Sequence, residues 1–102
     1  MRRRYLCRAE EVPRNEKRVF HLEDGPPVLV LNWEDEFFAC QARCPHQDAS
    51  LQDALFDGSL LTCDQHLWQW DIRTGSPVGL AEAPIQRYEL EVEEGSLYIA
   101  SQ

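Results

Sequence analysis

Cys44-Pro45-His46 and, sixteen residues further on, Cys63-Asp64-Gln65-His66 are the residues of this sequence best suited to do chemistry. Thiolates and imidazoles together select zinc, copper or iron–sulfur clusters and leave calcium and magnesium to oxygen-rich sites. Zinc modules usually pair like with like, cysteines in one knuckle and histidines in the next. Here each loop offers one cysteine and one histidine. That alternation suits two irons, with both thiolates on one and both imidazoles on the other.

The elements that must position these residues read as antiparallel β-structure, because short apolar runs are broken by turn residues. Strands are expected at Tyr5–Arg8, Lys17–His21, Pro27–Asn32, Glu36–Gln41, Leu60–Thr62, Leu67–Asp71, Arg87–Val92 and Ser96–Ala100. The first five are alternating, β-branched or aromatic, as half-buried strands should be. Turns are expected at Asp24-Gly25-Pro26, Glu34-Asp35, Asp57-Gly58, Thr74-Gly75 and Glu93-Glu94-Gly95. One helical turn is expected at Ala9–Val12, stopped by Pro13. Residues 42 to 57 show no convincing strand, and a loop that long in a small domain is usually functional or disordered. Its cysteine, histidine and proline argue for function. The fold class is all-β, a sandwich or barrel-like domain.

Length and charge narrow the function. The 102 residues fit a single domain, 1–102, with room for one core and one site. The longest apolar run, Val28–Leu31, is far too short to span a bilayer. Arg2-Arg3-Arg4 is followed by a polar, charged stretch, so it does not read as a twin-arginine export signal, and a cytoplasmic location is expected. The net charge is −8. Such a surface repels phosphate backbones, so nucleic acid and membrane are not expected partners. The charge either serves solubility or steers the chain toward a basic patch on a partner protein. Four cysteines allow two disulfides, but nothing here suggests an oxidising compartment.

The ligand pairs and the gap between them resemble the Rieske family, whose motif is C-x-H, roughly fifteen to seventeen residues, then C-x-x-H. His66-Leu67-Trp68-Gln69-Trp70-Asp71, with Thr74-Gly75 and Pro77 after it, is similar to the strand and turn that follow the second ligand loop in that family. The resemblance covers the whole chain. It implies a Rieske fold, a β-sandwich base bearing a cluster-binding subdomain of two loops at about residues 42–77. It also implies one [2Fe–2S] cluster held by Cys44, His46, Cys63 and His66, with the histidine-bound iron at the surface. Two thiolates leave the oxidised cluster neutral where four would make it doubly negative, so histidine ligation raises the potential.

High-potential members of the family carry an extra cysteine in each ligand loop, joined as a disulfide, and place serine and tyrosine hydroxyls near the cluster. The matching positions here are Ala49 and Gln65, then Trp68 and Trp70. With fewer donors to the sulfurs, the resemblance implies a low potential, near the ferredoxin end of the range.

Such a chain is an electron carrier, a monomer with no catalytic domain of its own. By resemblance it passes electrons from a flavin-dependent NAD(P)H reductase to a terminal oxygenase or hydroxylase. Cys44-Pro45-His46-Gln47-Asp48 and His66-Leu67-Trp68 look most like the ferredoxins of toluene-type diiron monooxygenases, which act in aromatic hydrocarbon catabolism. The alternatives are a ring-hydroxylating dioxygenase ferredoxin, a small subunit of an assimilatory nitrite reductase, and a non-redox metal-stabilised module. Cys7 and Cys40 read as buried small hydrophobes in strands. His21 reads as a surface histidine, and Trp68 and Trp70 as packing or shielding of the cluster. Pro45 and Pro77 are expected to stiffen the loops around it.

Overall fold

The computed structural model describes residues 3–22, 25–45, 50–63 and 67–100. Eleven strands are described: β1 (Arg3–Arg8), β2 (Lys17–Phe20), β3 (Val28–Trp33), β4 (Glu36–Gln41), β5 (Leu55–Phe56), β6 (Leu60–Thr62), β7 (Gln69–Asp71), β8 (Pro77–Val78), β9 (Arg87–Tyr88), β10 (Leu90–Glu93) and β11 (Ser96–Ala100). They form three antiparallel sheets, ordered β1-β11-β10, β2-β3-β4-β9 and β5-β6-β7-β8. The all-β expectation holds, and the helical turn is a single 3-10 turn at Ala9–Glu11, ended before Pro13.

The middle sheet has no solvent face along β3. Val28, Leu29, Val30 and Leu31 are all buried, so this strand is not the half-buried one its sequence suggested. Side chains alternate across a strand, and here the alternation divides them between two cores. Leu29 and Leu31 join Phe38 and Cys40 of β4 and Leu61 and Trp70 of the third sheet. Val28 and Val30 join Ala39 of β4 with Leu6, Cys7, Leu97 and Ile99 of the first sheet. The register agrees, because Leu29 pairs with Cys40 and Val30 with Ala39. Burying each of these side chains contributes about 1.5–3 kcal/mol.

Four expected elements are corrected. Arg87–Val92 is not one strand: β9 pairs with β4 and β10 with β11, and the chain changes sheets at Glu89. Strand β7 begins at Gln69 rather than Leu67, because Leu67 has a left-handed φ of 59°, incompatible with extended pairing. The stretch read as strandless contains β5, paired with β6, after a 3-10 turn at Leu51–Asp53 whose Gln52 N–H is capped by the Ser50 hydroxyl. Pro77–Val78 adds an edge strand, a position proline tolerates because its missing N–H faces away from the ladder. Of the expected turns, Glu34-Asp35 joins β3 to β4 and Glu94-Gly95 joins β10 to β11. Asp24 lies outside the described residues.

Asn32 holds the β3–β4 turn from inside. Its Nδ2 donates to the Val12 carbonyl at 2.8 Å and its Oδ1 accepts from the Asp35 N–H at 2.9 Å, with only 4% of the residue exposed. Asn32→Leu would leave both backbone groups unpaired, a cost of roughly 1–3 kcal/mol. Leu31→Ala should cost about 2–5 kcal/mol by opening a cavity, whereas Val92→Ala, on an exposed position, should stay within about 0.5 kcal/mol. Chemical denaturation followed by tryptophan fluorescence checks the order; a Val92→Ala loss as large as that of Leu31→Ala would contradict the two-core arrangement.

Candidate metal centre

Cys44 leaves the end of β4 and Cys63 the end of β6. Each opens a loop that is pinched at its neck by backbone hydrogen bonds. In the first loop the Leu51 N–H donates to the Ala42 carbonyl at 2.7 Å, and Arg43 and Ser50 form an isolated antiparallel bridge. The Gln41 side chain braces the same limb by donating to the Arg43 carbonyl at 2.7 Å. In the second loop the Cys63 N–H donates to the Trp68 carbonyl at 2.8 Å, and the Leu67 N–H donates to the Cys63 carbonyl at 3.1 Å. Both cysteines thus sit on the first limb of a closed neck, the place from which a side chain is held by sheet rather than by loop.

The structure brings these two residues into one apolar cluster with Leu51, Ala54, Trp68 and Trp70. Cys44 and Cys63 are buried, and neither is in a disulfide. His46 and His66 lie outside the described residues, as do Gln47, Asp48, Ala49, Asp64 and Gln65. The donors that are described fit a metal group. A buried thiolate is costly without a compensating cation, and residues 44 to 72 contain five aspartates and no Lys or Arg. Between the flanking Arg43 and Arg73, a bound metal would supply the charge that two thiolates at Cys44 and Cys63 need.

The other two thiols differ. Cys7 belongs to the second core, and burial, helped by the Glu11 carboxylate, pushes its thiol up to about 11. Cys40 shares the first core with Cys44 and Cys63, yet burial pushes its thiol up to about 12 against a weaker opposing pull from Arg87. Both stay protonated at neutral pH and behave as small apolar side chains, as expected. His21 lines a shallow groove with Arg43, Ser50 and Gln52, at the back of the first loop's neck.

Several residues that the sequence does not single out fix the ligand sheet to the base. Arg73 forms a two-pronged ion pair with Glu36 at 2.8 and 2.9 Å while lying 5.0 Å over the Phe38 ring. Arg87 donates through Nε to the Ile72 carbonyl at 2.9 Å. Gly75 has a φ of 80°, and a Cβ there would come within 2.6 Å of the Ile85 carbonyl oxygen, so glycine is required where the two chains cross. Trp68 and Trp70 are buried with their ring centroids 6.2 Å apart, and Trp70 donates its indole N–H to the Ala83 carbonyl at 2.9 Å. Packing beside the ligand limb is therefore their role. Pro77 lies opposite Trp70 in the sheet. Charged pairs and carbonyl acceptors of this kind leave no periodic signal in a sequence.

Comparison with known proteins places the chain. The family model for the Rieske [2Fe-2S] domain matches residues 3–89. The chain is 34% identical over 94 residues to the methanesulfonate monooxygenase ferredoxin subunit of Methylosulfonomonas methylovora, covering 91% of this chain and 76% of the relative. It is 32% identical over 97 residues to the 3-phenylpropionate/cinnamic acid dioxygenase ferredoxin subunit of Photorhabdus laumondii, covering 93% and 90%. Its fold superposes with a TM-score of 0.85 on a chain from the complex of reduced oxygenase and oxidized ferredoxin in carbazole 1,9a-dioxygenase, at 28% identity over 96% of this chain and 92% of the other.

The raised thiols predict an alkaline instability. Cys40 keeps its proton in the folded state up to about 12, whereas an unfolded thiol ionises near 9.0. Its stabilising contribution is whole below the unfolded value and is lost as pH rises through the window between the two, with a slope approaching about 1.4 kcal/mol per pH unit. Wild type should therefore lose stability faster than Cys40→Ala above that lower limit, measured by denaturation in the presence of a reductant. Parallel pH profiles for the two proteins would show that Cys40 ionises freely in the fold.

Proposed function

The chain belongs to the Rieske [2Fe–2S] family, and we propose on that premise that it carries electrons one at a time from a flavin-dependent NAD(P)H reductase to a terminal oxygenase. The observation that carries this reading is the pair of buried cysteines, neither in a disulfide, gathered into one apolar cluster from the necks of two loops. Each of those loops continues into a histidine. Cys44 and Cys63 would hold one iron of the cluster from the protein side, and His46 and His66 the other. The cluster, one per chain, supplies a single-electron store. The protein's part is to hold the thiolates rigidly, keep water from them with Leu51, Trp68 and Trp70, and stay still when charge arrives.

A low potential suits that place in an electron chain. Hydrogen bonds to cluster sulfurs stabilise the reduced form and raise the potential. The Trp70 N–H is taken by Ala83 and the Cys63 N–H by Trp68, and no hydroxyl stands at position 68 or 70. The midpoint should lie near about −150 mV rather than about +300 mV.

The oxygenase is the finer question. The Pro45 and Gln47-Asp48 pattern leans toward diiron monooxygenases, whereas the phenylpropionate and carbazole relatives serve dioxygenases. We favour a ring-hydroxylating oxygenase, because those likenesses extend over nearly the whole chain and the diiron leaning rests on a few loop residues. A single domain acting as a cytoplasmic monomer completes the reading. Four cysteines outside any disulfide are in keeping with it.

The purified protein should be red-brown, with iron and acid-labile sulfide in equal amounts and a reduced-state paramagnetic signal of mixed cysteine and histidine ligation. Cys44→Ser or Cys63→Ser should abolish the colour, while Cys7→Ser and Cys40→Ser keep it. A colourless protein holding one zinc would sink the proposal. Dithionite-reduced protein mixed with the oxygenase components of a carbazole dioxygenase and of a diiron toluene monooxygenase then separates the two partner classes, by which of them reoxidises it.

A further inference from the structure

The sheet that carries Cys63 has one face in the core and one in water. Leu61 and Trp70, directly opposite each other, are fully buried, so the row Leu55, Thr62, Gln69, Val78 points outward across all four strands. The Gln69 amide donates to the Thr62 hydroxyl at 3.2 Å along this row. Leu55 is 65% exposed there.

Strand direction brings two more leucines to the same end. Leu67 precedes Gln69 by two residues, and Leu80 follows Val78 by two in the antiparallel neighbour, in the turn closed by the Ala81 N–H on the Val78 carbonyl. Leu67 is 62% and Leu80 73% exposed. Cys63 leaves β6 beyond Thr62 at this same end. Three of the five exposed large apolar side chains among the described residues therefore ring the edge from which the second ligand loop emerges.

Leu67 adds a second sign that this collar is kept for use. It adopts a left-handed φ of 59°, which glycine takes without penalty and which costs other L-residues roughly 1–2 kcal/mol. A side chain that is both strained and exposed contributes nothing to folding that glycine would not improve. The charge of the chain names the complement: its net charge is −8, and residues 44 to 72, flanked by Arg43 and Arg73, hold five aspartates, of which Asp53 is exposed.

We propose that Leu55, Leu67 and Leu80 form the docking collar for the terminal oxygenase, received by an apolar patch on that protein rimmed with Lys and Arg. This rests on the electron-carrier reading above. The oxygenase is taken as the occupant because a chain of similar fold belongs to a complex of oxygenase and ferredoxin. Apolar side chains at the centre of such a contact set how long it lasts, and the acidic surround sets how fast it forms.

The test uses the intact holoprotein. Leu55→Ser/Leu80→Ser leaves the ligand loop untouched, and Leu67→Asn keeps a residue that tolerates the left-handed backbone. Each is reduced with dithionite and mixed by stopped flow with the oxygenase that reoxidises wild type in the screen above. The concentration for half-maximal rate should rise by about tenfold or more, with the visible spectrum and midpoint of Leu55→Ser/Leu80→Ser unchanged. Reduction by the flavin reductase should stay within about twofold of wild type. Oxygenase kinetics equal to wild type, or an equal loss toward the reductase, would overturn the assignment. A wild-type protein that carries a cluster but reduces neither oxygenase would overturn the partner reading and the collar with it. A protein without a cluster would fail earlier, at the electron-carrier reading itself.

Discussion

Strand β3 has nowhere to face but inward, and the rest of the molecule is arranged around that constraint. Its alternating side chains must be buried on both sides, so one sheet cannot satisfy it. The first sheet covers Val28 and Val30, and the ligand sheet covers Leu29 and Leu31. The three-sheet architecture is the smallest solution for a strand with two apolar faces. It gives the ligand sheet a fixed wall to lean on, and β4, the strand next to β3, runs directly into the first cysteine.

The position of both sulfurs follows from this packing. Cys44 inherits its place from the β3–β4 register, two residues beyond Ala42, which is itself buried in the wall. Cys63 inherits its place from Leu61 and Trp70, which plug the ligand sheet into the same core. Arg73 on Glu36, Arg87 on Ile72 and the close crossing at Gly75 then tie the turn after β7 to the base. The two loops need no covalent link to each other because each cysteine stands on an anchored strand end. Rigidity of this kind is what a one-electron site needs, since atoms that do not move on charging do not add to the barrier.

Environment sorts four chemically identical side chains into two kinds. Cys7 and Cys40 are enclosed on strands, where burial raises the thiols far above neutrality and makes them inert. Cys44 and Cys63 are buried too, but at the mouths of loops that lead on to histidines. Between them stretch residues whose only side-chain charges are negative. A polynuclear iron centre held by those sulfurs would offset that local imbalance.

The candidate ligand residues could be named from the sequence because metal coordination depends on residue type and spacing, which the chain carries explicitly, and the structure gathers Cys44 and Cys63 of that set into one buried cluster. The β-rich class was legible too, since alternation and turn residues act locally. Two short strands at Leu55–Phe56 and Pro77–Val78 were not, because two residues hold no period and exist only by pairing with neighbours. The split of Arg87–Val92 between two sheets was hidden for the same reason: its residues suit a strand throughout, and only the competing partners β4 and β11 decide where it breaks. Leu67 looked like the start of a strand until the closing of the Cys63–Trp68 neck forced its backbone left-handed. By itself, then, the sequence determined which residues are the candidate ligands and that the frame around them is β-structure. The tertiary structure alone decided which face of each strand is buried, how the ligand loops are pinched, and which leucines are left in water, because those depend on contacts between residues far apart along the chain.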